Sequence, residues 1–122
     1  ANTYMLVMSH VQIPAIDNAH LASTSKAIIT DWLRHELGYN GVVMTDRVDV
    51  GALQANQKIG DFAVASIVAG SDIVLLDADT VHIDEVHRAL TQAVANGTIT
   101  NDRLNDAVKH ILLMKMQTQM QQ

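Results

Sequence analysis

An α/β fold built on parallel strands is the architecture that the residue pattern predicts. Two apolar runs, Val42-Val43-Met44 and Ile73-Val74-Leu75-Leu76, show no alternation with polar residues, so they read as strands buried on both faces. These runs alternate with segments whose apolar residues recur at helical spacing. Glycines and capping residues separate the two kinds of segment.

In chain order, Tyr4 to Val11 forms a first apolar run and is expected to be a strand, with His10 near its far end. Gln12 to Thr24 reads as a loop, because Pro14 and Asp17-Asn18 are turn-formers. Ser25 is the expected N-cap of a helix from Lys26 to Leu37. Ile28, Ile29, Trp32, Leu33 and Leu37 share one of its faces, and Gly38 stops it. The strand of Val42 to Thr45 follows and ends on Asp46. The segment from Arg47 to Gly60 is compatible with a short helix or an irregular loop. A helix capped by Asp61 is then expected through Ala69, closed by Gly70. Asp72 to Leu76 reads as a third strand, ending on Asp77 and Asp79. Two helices complete the pattern, one from about Val81 to Asn96 and one capped by Thr100, with a frayed tail from Met116. Three parallel strands leave two open sheet edges. The expectation is therefore a homo-oligomer that covers them.

Composition narrows the function. The 122 residues fit a single domain, 1–122, and fall short of a complete barrel of about 250 residues. A net charge of −5, with only eight scattered Lys and Arg, argues against nucleic acid as a partner. No apolar stretch approaches the roughly 20 residues needed to span a bilayer, so no membrane role is expected. The absence of cysteine removes disulfides, thiolate metal sites and cysteine nucleophiles, and fits a cytoplasmic protein. His82 and His87 stand five apart, the wrong spacing for ligands on one helical face, so neither a metal nor another cofactor is expected. Tyr4, Trp32, Tyr39 and Phe62 are the only aromatic residues, which leaves little for stacking a sugar ring.

Several motifs carry a family resemblance. The stretches His10-Val11-Gln12-Ile13-Pro14-Ala15 and Leu21-Ala22-Ser23-Thr24-Ser25 come first. Leu33-Arg34-His35-Glu36-Leu37-Gly38-Tyr39-Asn40-Gly41-Val42-Val43-Met44-Thr45-Asp46 continues the pattern, followed by Ala69-Gly70-Ser71-Asp72-Ile73-Val74-Leu75-Leu76 and the closing helix through Lys115. In order and spacing these resemble glycoside hydrolase family 3, nearest its β-N-acetylglucosaminidase branch. The resemblance implies a partial TIM-type barrel, with about three parallel βα units plus a closing C-terminal helix. These would be the last three units of a (β/α)8 domain.

It also implies retaining hydrolysis of terminal β-linked N-acetylglucosamine, with a carbohydrate as substrate. The family nucleophile falls on Asp46, which would attack the anomeric carbon and release the glycosyl-enzyme to water. His10 and Met8 are the implied substrate-side residues. The branch's acid/base signature, a His-Asp loop near Lys-His-Phe-Pro-Gly-His-Gly, does not occur in these residues. Three departures stand out. Asp46-Arg47-Val48-Asp49-Val50 replaces a pattern like Asp-x-Leu-x-Met, and Leu21 stands where the family has Pro. Aligned on His10, the family Met falls on Val7, with Met8 one place later.

Simpler readings stand beside these. Asp46 could cap the segment after its strand or pair with an Arg, and His10 could be a satisfied buried histidine. Asp49 either raises the Asp46 pKa by like-charge repulsion, if both face one pocket, or is solvated or paired with Arg47. Asp77 and Asp79 are expected to cap the next helix. Two classes of function follow: a family 3 hydrolase, incomplete or inactive as an isolated chain, and a non-catalytic barrel remnant that only self-associates. A generic α/β binding module is a third, but no Gly-rich phosphate loop occurs.

Overall fold

The computed structural model describes residues 3–120. Strand β1 (Met5–Met8) pairs in parallel with β2 (Val42–Thr45), Met5 opposite Val42 and Met8 opposite Thr45. The crossover between them is the helix Ala27–Glu36, which is wound as a π-helix. Its last turn closes with the Leu37 N–H on the Trp32 carbonyl, five residues back. Ser25 begins this helix as expected, its Oγ accepting the Ile28 N–H at 3.2 Å. Gly38 ends it at φ +69°.

Four α-helices follow: α1 (Val48–Gln54), α2 (Ile59–Ala69), α3 (Thr80–Ala95) and α4 (Asn101–Gln119). Asp79 caps α3 by accepting the Val81 N–H, and Thr100 caps α4 by accepting the Arg103 N–H. The segment after Asp46 is thus a short helix, the first of the two forms compatible with its sequence. Helix α2 starts two residues before Asp61, which lies in its first turn instead of capping it. Helix α4 runs through Gln119, so the tail expected to fray from Met116 is helical there. Gln121 and Gln122 lie outside the described residues.

The third strand is reduced to a single bridge, Ile73 with Met44. Its chain still lies beside β2, and Thr45 N–H donates to the Ile73 carbonyl at 3.0 Å. The ladder stops because the Thr45 hydroxyl, buried and 3.0 Å away, accepts the Leu75 N–H. A side chain thereby takes the donor that regular pairing needs. Among the described residues the sheet has two strands.

Three apolar clusters hold the layers together. Ile29, Val43 and Ala69 join the sheet to the π-helix and α2, with Met8, Leu33 and Tyr39 packed against them. Val48, Ala52, Ile59, Phe62, Ala63 and Val86 form the largest cluster, between α1, α2 and α3. Ile67, Ala93 and Ile99 seat the chain entering α4. Gly51 shows how closely the largest cluster is packed. A Cβ there would stand 2.6 Å from the Phe62 ring and 2.7 Å from His10 Cε1. Gly51→Ala is therefore expected to destabilise by about 1–3 kcal/mol, because overpacking outweighs the helix propensity gained. Urea unfolding at equilibrium would register the loss; an unchanged midpoint would contradict this account of the contact.

Beneath the sheet lies a charged knot. The Asp72 carboxylate has no solvent exposure. It accepts from Arg34 at 2.7 Å, Arg103 at 2.6 Å and His110 at 3.0 Å, and from the Val43 N–H at 3.0 Å. Arg34 also donates to the Gly41 and Gly70 carbonyls, and Arg103 to that of Ser71. The π-helix, β2, the chain after α2 and α4 thus converge on one carboxylate.

Candidate active site

The carboxyl ends of β1 and β2, with the Ile73 segment beside them, present the acidic residues to one edge of the sheet. Asp46 follows β2 directly. Its N–H donates to the Met8 carbonyl at 3.0 Å, extending the ladder one residue past the strand. Its side chain is exposed, with Oδ1 accepting the Arg47 N–H at 2.8 Å. Among the described residues Oδ2 accepts no hydrogen bond.

Around Asp46 the charges are already paired. Arg47 grips Asp49 with two bonds, of 2.6 and 3.2 Å, and lies 3.9 Å from Asp77. Those bonds from Asp49 hold the guanidinium charged, its pKa above the usual range, and Arg47 in turn holds the Asp49 carboxyl below its usual range. Of the two roles open to Asp49, the structure shows the ion pair. The guanidinium is committed to Asp49, and Asp46 exerts only the weakest of the influences on it.

Asp77 does not cap α3. It accepts from His82 Nδ1 at 3.0 Å, and this bond raises the His82 pKa above 6.5. The raised value makes the His82–Asp77 contribution to stability fully present below about pH 6.5, and lost as pH rises through the folded-state pKa. An NMR titration is expected to place the His82 midpoint above 6.5 and to return it toward that value in Asp77→Asn. An identical midpoint in both proteins would contradict the pairing.

The two residues expected beside Asp46 face inward. Met8 packs with Ile29, Val43 and Ala69 on the helix side of the sheet. Its neighbour Val7 is 55% exposed and opposite Met44, so Val7 and Met44 share the face on which Asp46 stands. His10 is buried, with Nδ1 2.7 Å from Ser23 Oγ and Nε2 2.7 Å from the Arg47 carbonyl. Its ring meets Phe62 edge-on at 5.3 Å. The strand-end loop before the π-helix is knotted by Asp17. That carboxylate accepts from the Ser25 hydroxyl and from the Ala19 and His20 N–H groups, which hold its pKa well below the usual carboxylate range.

Sequence reasoning missed the Arg34–Asp72–Arg103–His110 knot. One signal was available. Arg34 and Asp72 sit inside two of the motifs that carry the resemblance, one near the end of an amphipathic helix and one opening an apolar run. Among the described residues no group of three or more His, Cys, Asp or Glu could hold a metal ion, and no helix is long and apolar enough to cross a membrane.

Comparison with known proteins shows what the chain is similar to. The chain is 28% identical to β-hexosaminidase A of Pseudoalteromonas piscicida, covering 91% of this chain and 21% of that protein. It is 26% identical to a β-N-acetylglucosaminidase/β-glucosidase of Cellulomonas fimi, over 94% of this chain and 22% of the relative. The solved glycoside hydrolase family 3 β-N-acetylglucosaminidase of Paenibacillus sp. str. FPU-7 superposes with a TM-score of 0.89 at 31% identity. That match covers 94% of this chain and 22% of the Paenibacillus chain. The chain thus spans about a fifth of the length of these relatives, and the two strands, the π-helix and the four α-helices of the described residues match part of a barrel domain of the Paenibacillus kind. The profile of the glycosyl hydrolase family 3 N-terminal domain matches residues 1–114, and the chain belongs to that family.

Proposed function

We propose that this chain supplies the last three βα units of a family 3 barrel. In that barrel Asp46 is the nucleophile for retaining hydrolysis of terminal β-linked N-acetylglucosamine. The observation that carries the reading is the Asp46 carboxylate itself: exposed at a strand's carboxyl end, backbone-anchored, with Oδ2 accepting no hydrogen bond among the described residues and the Arg47 guanidinium engaged by Asp49. Chemistry in barrels of this kind is placed at that end of the strands.

In the proposed reaction Oδ2 attacks the anomeric carbon as the glycosidic oxygen leaves with a proton. Water then displaces the carboxylate from the glycosyl-enzyme. The proton is supplied from the part of the barrel outside the matched span. Val7 and Met44 form the apolar floor beside Asp46, while Met8 and His10 hold the strand ends from behind.

The test installs residues 1–114 in place of the matching span of the Paenibacillus enzyme. Hydrolysis of an aryl N-acetyl-β-glucosaminide by the folded chimera supports the reading. A folded chimera that leaves the aryl glycoside intact overturns it.

A second reading, a self-associating domain, is favoured by one set of surfaces. Met5 and Val7 are 40% and 55% exposed on β1, and an apolar groove of about 360 Å³ lies between α3 and α4, lined by Leu76, Ile83, Leu104 and Val108. On that reading light scattering gives a dimer or larger species. A monomer across a wide concentration range argues against it.

A further inference from the structure

His10 is 9% exposed, and both of its ring nitrogens are engaged within the protein. A carbonyl oxygen only accepts, so the 2.7 Å contact to the Arg47 carbonyl requires a proton on Nε2. The ring has little freedom to leave this contact. Ser23 Oγ closes on Nδ1, Phe62 packs against the ring, and Gly51 leaves no room behind Cε1. The Gln54 side-chain amide donates to the His10 carbonyl at 3.1 Å, tying the end of α1 to the same point.

The Arg47 carbonyl belongs to the turn that joins β2 to α1, and it also accepts the Gly51 N–H of the first turn of α1, at 3.2 Å. Asp46 and Arg47 are both exposed, so apolar packing reaches this turn only at Val48, which is buried in the largest cluster. Polar anchors hold the rest: the Met8 carbonyl accepts Asp46 N–H, the Leu75 carbonyl accepts Val48 N–H, and His10 binds the carbonyl between them.

We propose that His10 is a positioning residue that clamps the Arg47 carbonyl and so holds the turn presenting the Asp46 carboxylate, without meeting substrate itself. Its purpose rests on the reading of Asp46 as the nucleophile, but the clamp is tested without any sugar.

The experiment is ¹⁵N NMR on the full chain, on His10→Phe, which keeps an aromatic ring against Phe62, and on His10→Gln, which restores a donor near Nε2. In the unsubstituted chain the imidazole is expected to carry its proton on Nε2. In His10→Phe the order parameters of residues 46–48 should fall from about 0.85 to below about 0.6 while those of 42–44 hold, and His10→Gln should recover them. An unprotonated Nε2, or an equally ordered turn in His10→Phe, overturns the proposal. Should His10→Phe fail to fold, the tautomer in the unsubstituted chain still decides between the outcomes. A clamp seen by NMR beside an inactive chimera would overturn the nucleophile reading and leave the clamp standing.

Discussion

Asp72→Asn is expected to lower the unfolding free energy by about 3–5 kcal/mol, the cost of breaking a buried ion pair by removing one partner. The substitution keeps the side chain's size and can still accept the Val43 N–H and Arg34, but it then turns an amide NH2 toward Arg103 and His110, so the loss combines the missing charge with a missing acceptor. Arg34 and Arg103, 9% and 15% exposed, would be left facing a neutral amide. They cannot shed their charge, because a guanidinium stays protonated at any working pH. Because the carboxylate gathers the π-helix, β2 and α4, the loss should appear as a lowered urea midpoint of one cooperative transition. Arg34→Met should also be costly, since it strips donors from the Gly41 and Gly70 carbonyls as well as from Asp72. A shift in midpoint no larger than that of a surface substitution would show that the knot is not what joins these layers.

The second large effect concerns chemistry. In the chimeric barrel Asp46→Asn is expected to reduce aryl N-acetyl-β-glucosaminide hydrolysis on the order of 10³-fold or more, because an amide oxygen is a poor nucleophile and the covalent step has no substitute. Stability should barely change, since the carboxylate is exposed and, among the described residues, bonds only its neighbour's N–H. Asp49→Asn is the informative control. It frees Arg47 from its two-bond grip and lets the guanidinium turn toward Asp46, so activity should fall far less than in Asp46→Asn. Equal losses in the two variants would remove the distinction between nucleophile and partner.

Local signals made much of this fold legible. Ser25, Asp79 and Thr100 bond the helix N-terminal N–H groups they were expected to cap, and Gly38 takes positive φ at its stop. The unalternating run from Val42 to Thr45 is a strand over those residues. What escaped was set by partners distant in sequence. An apolar run such as Ile73 to Leu76 carries no sign that the Thr45 hydroxyl will take its donor. The side of the sheet on which Met8 falls depends on a one-residue register that methionine, apolar and pliant, satisfies equally well either way. The charge of Asp72 was visible at the head of its run, but its three side-chain partners come from two helices 31 to 38 residues away.

The most direct measurement of the central claim is to trap the intermediate. The chimera carrying residues 1–114 would be treated with a fluorinated N-acetylglucosaminyl fluoride, whose leaving group departs without a proton donor, and the labelled peptide located by mass spectrometry. The account predicts a single glycosyl ester on Asp46, absent from Asp46→Asn. An ester on Asp49 or Asp77, or one that persists after Asp46→Asn, would contradict it.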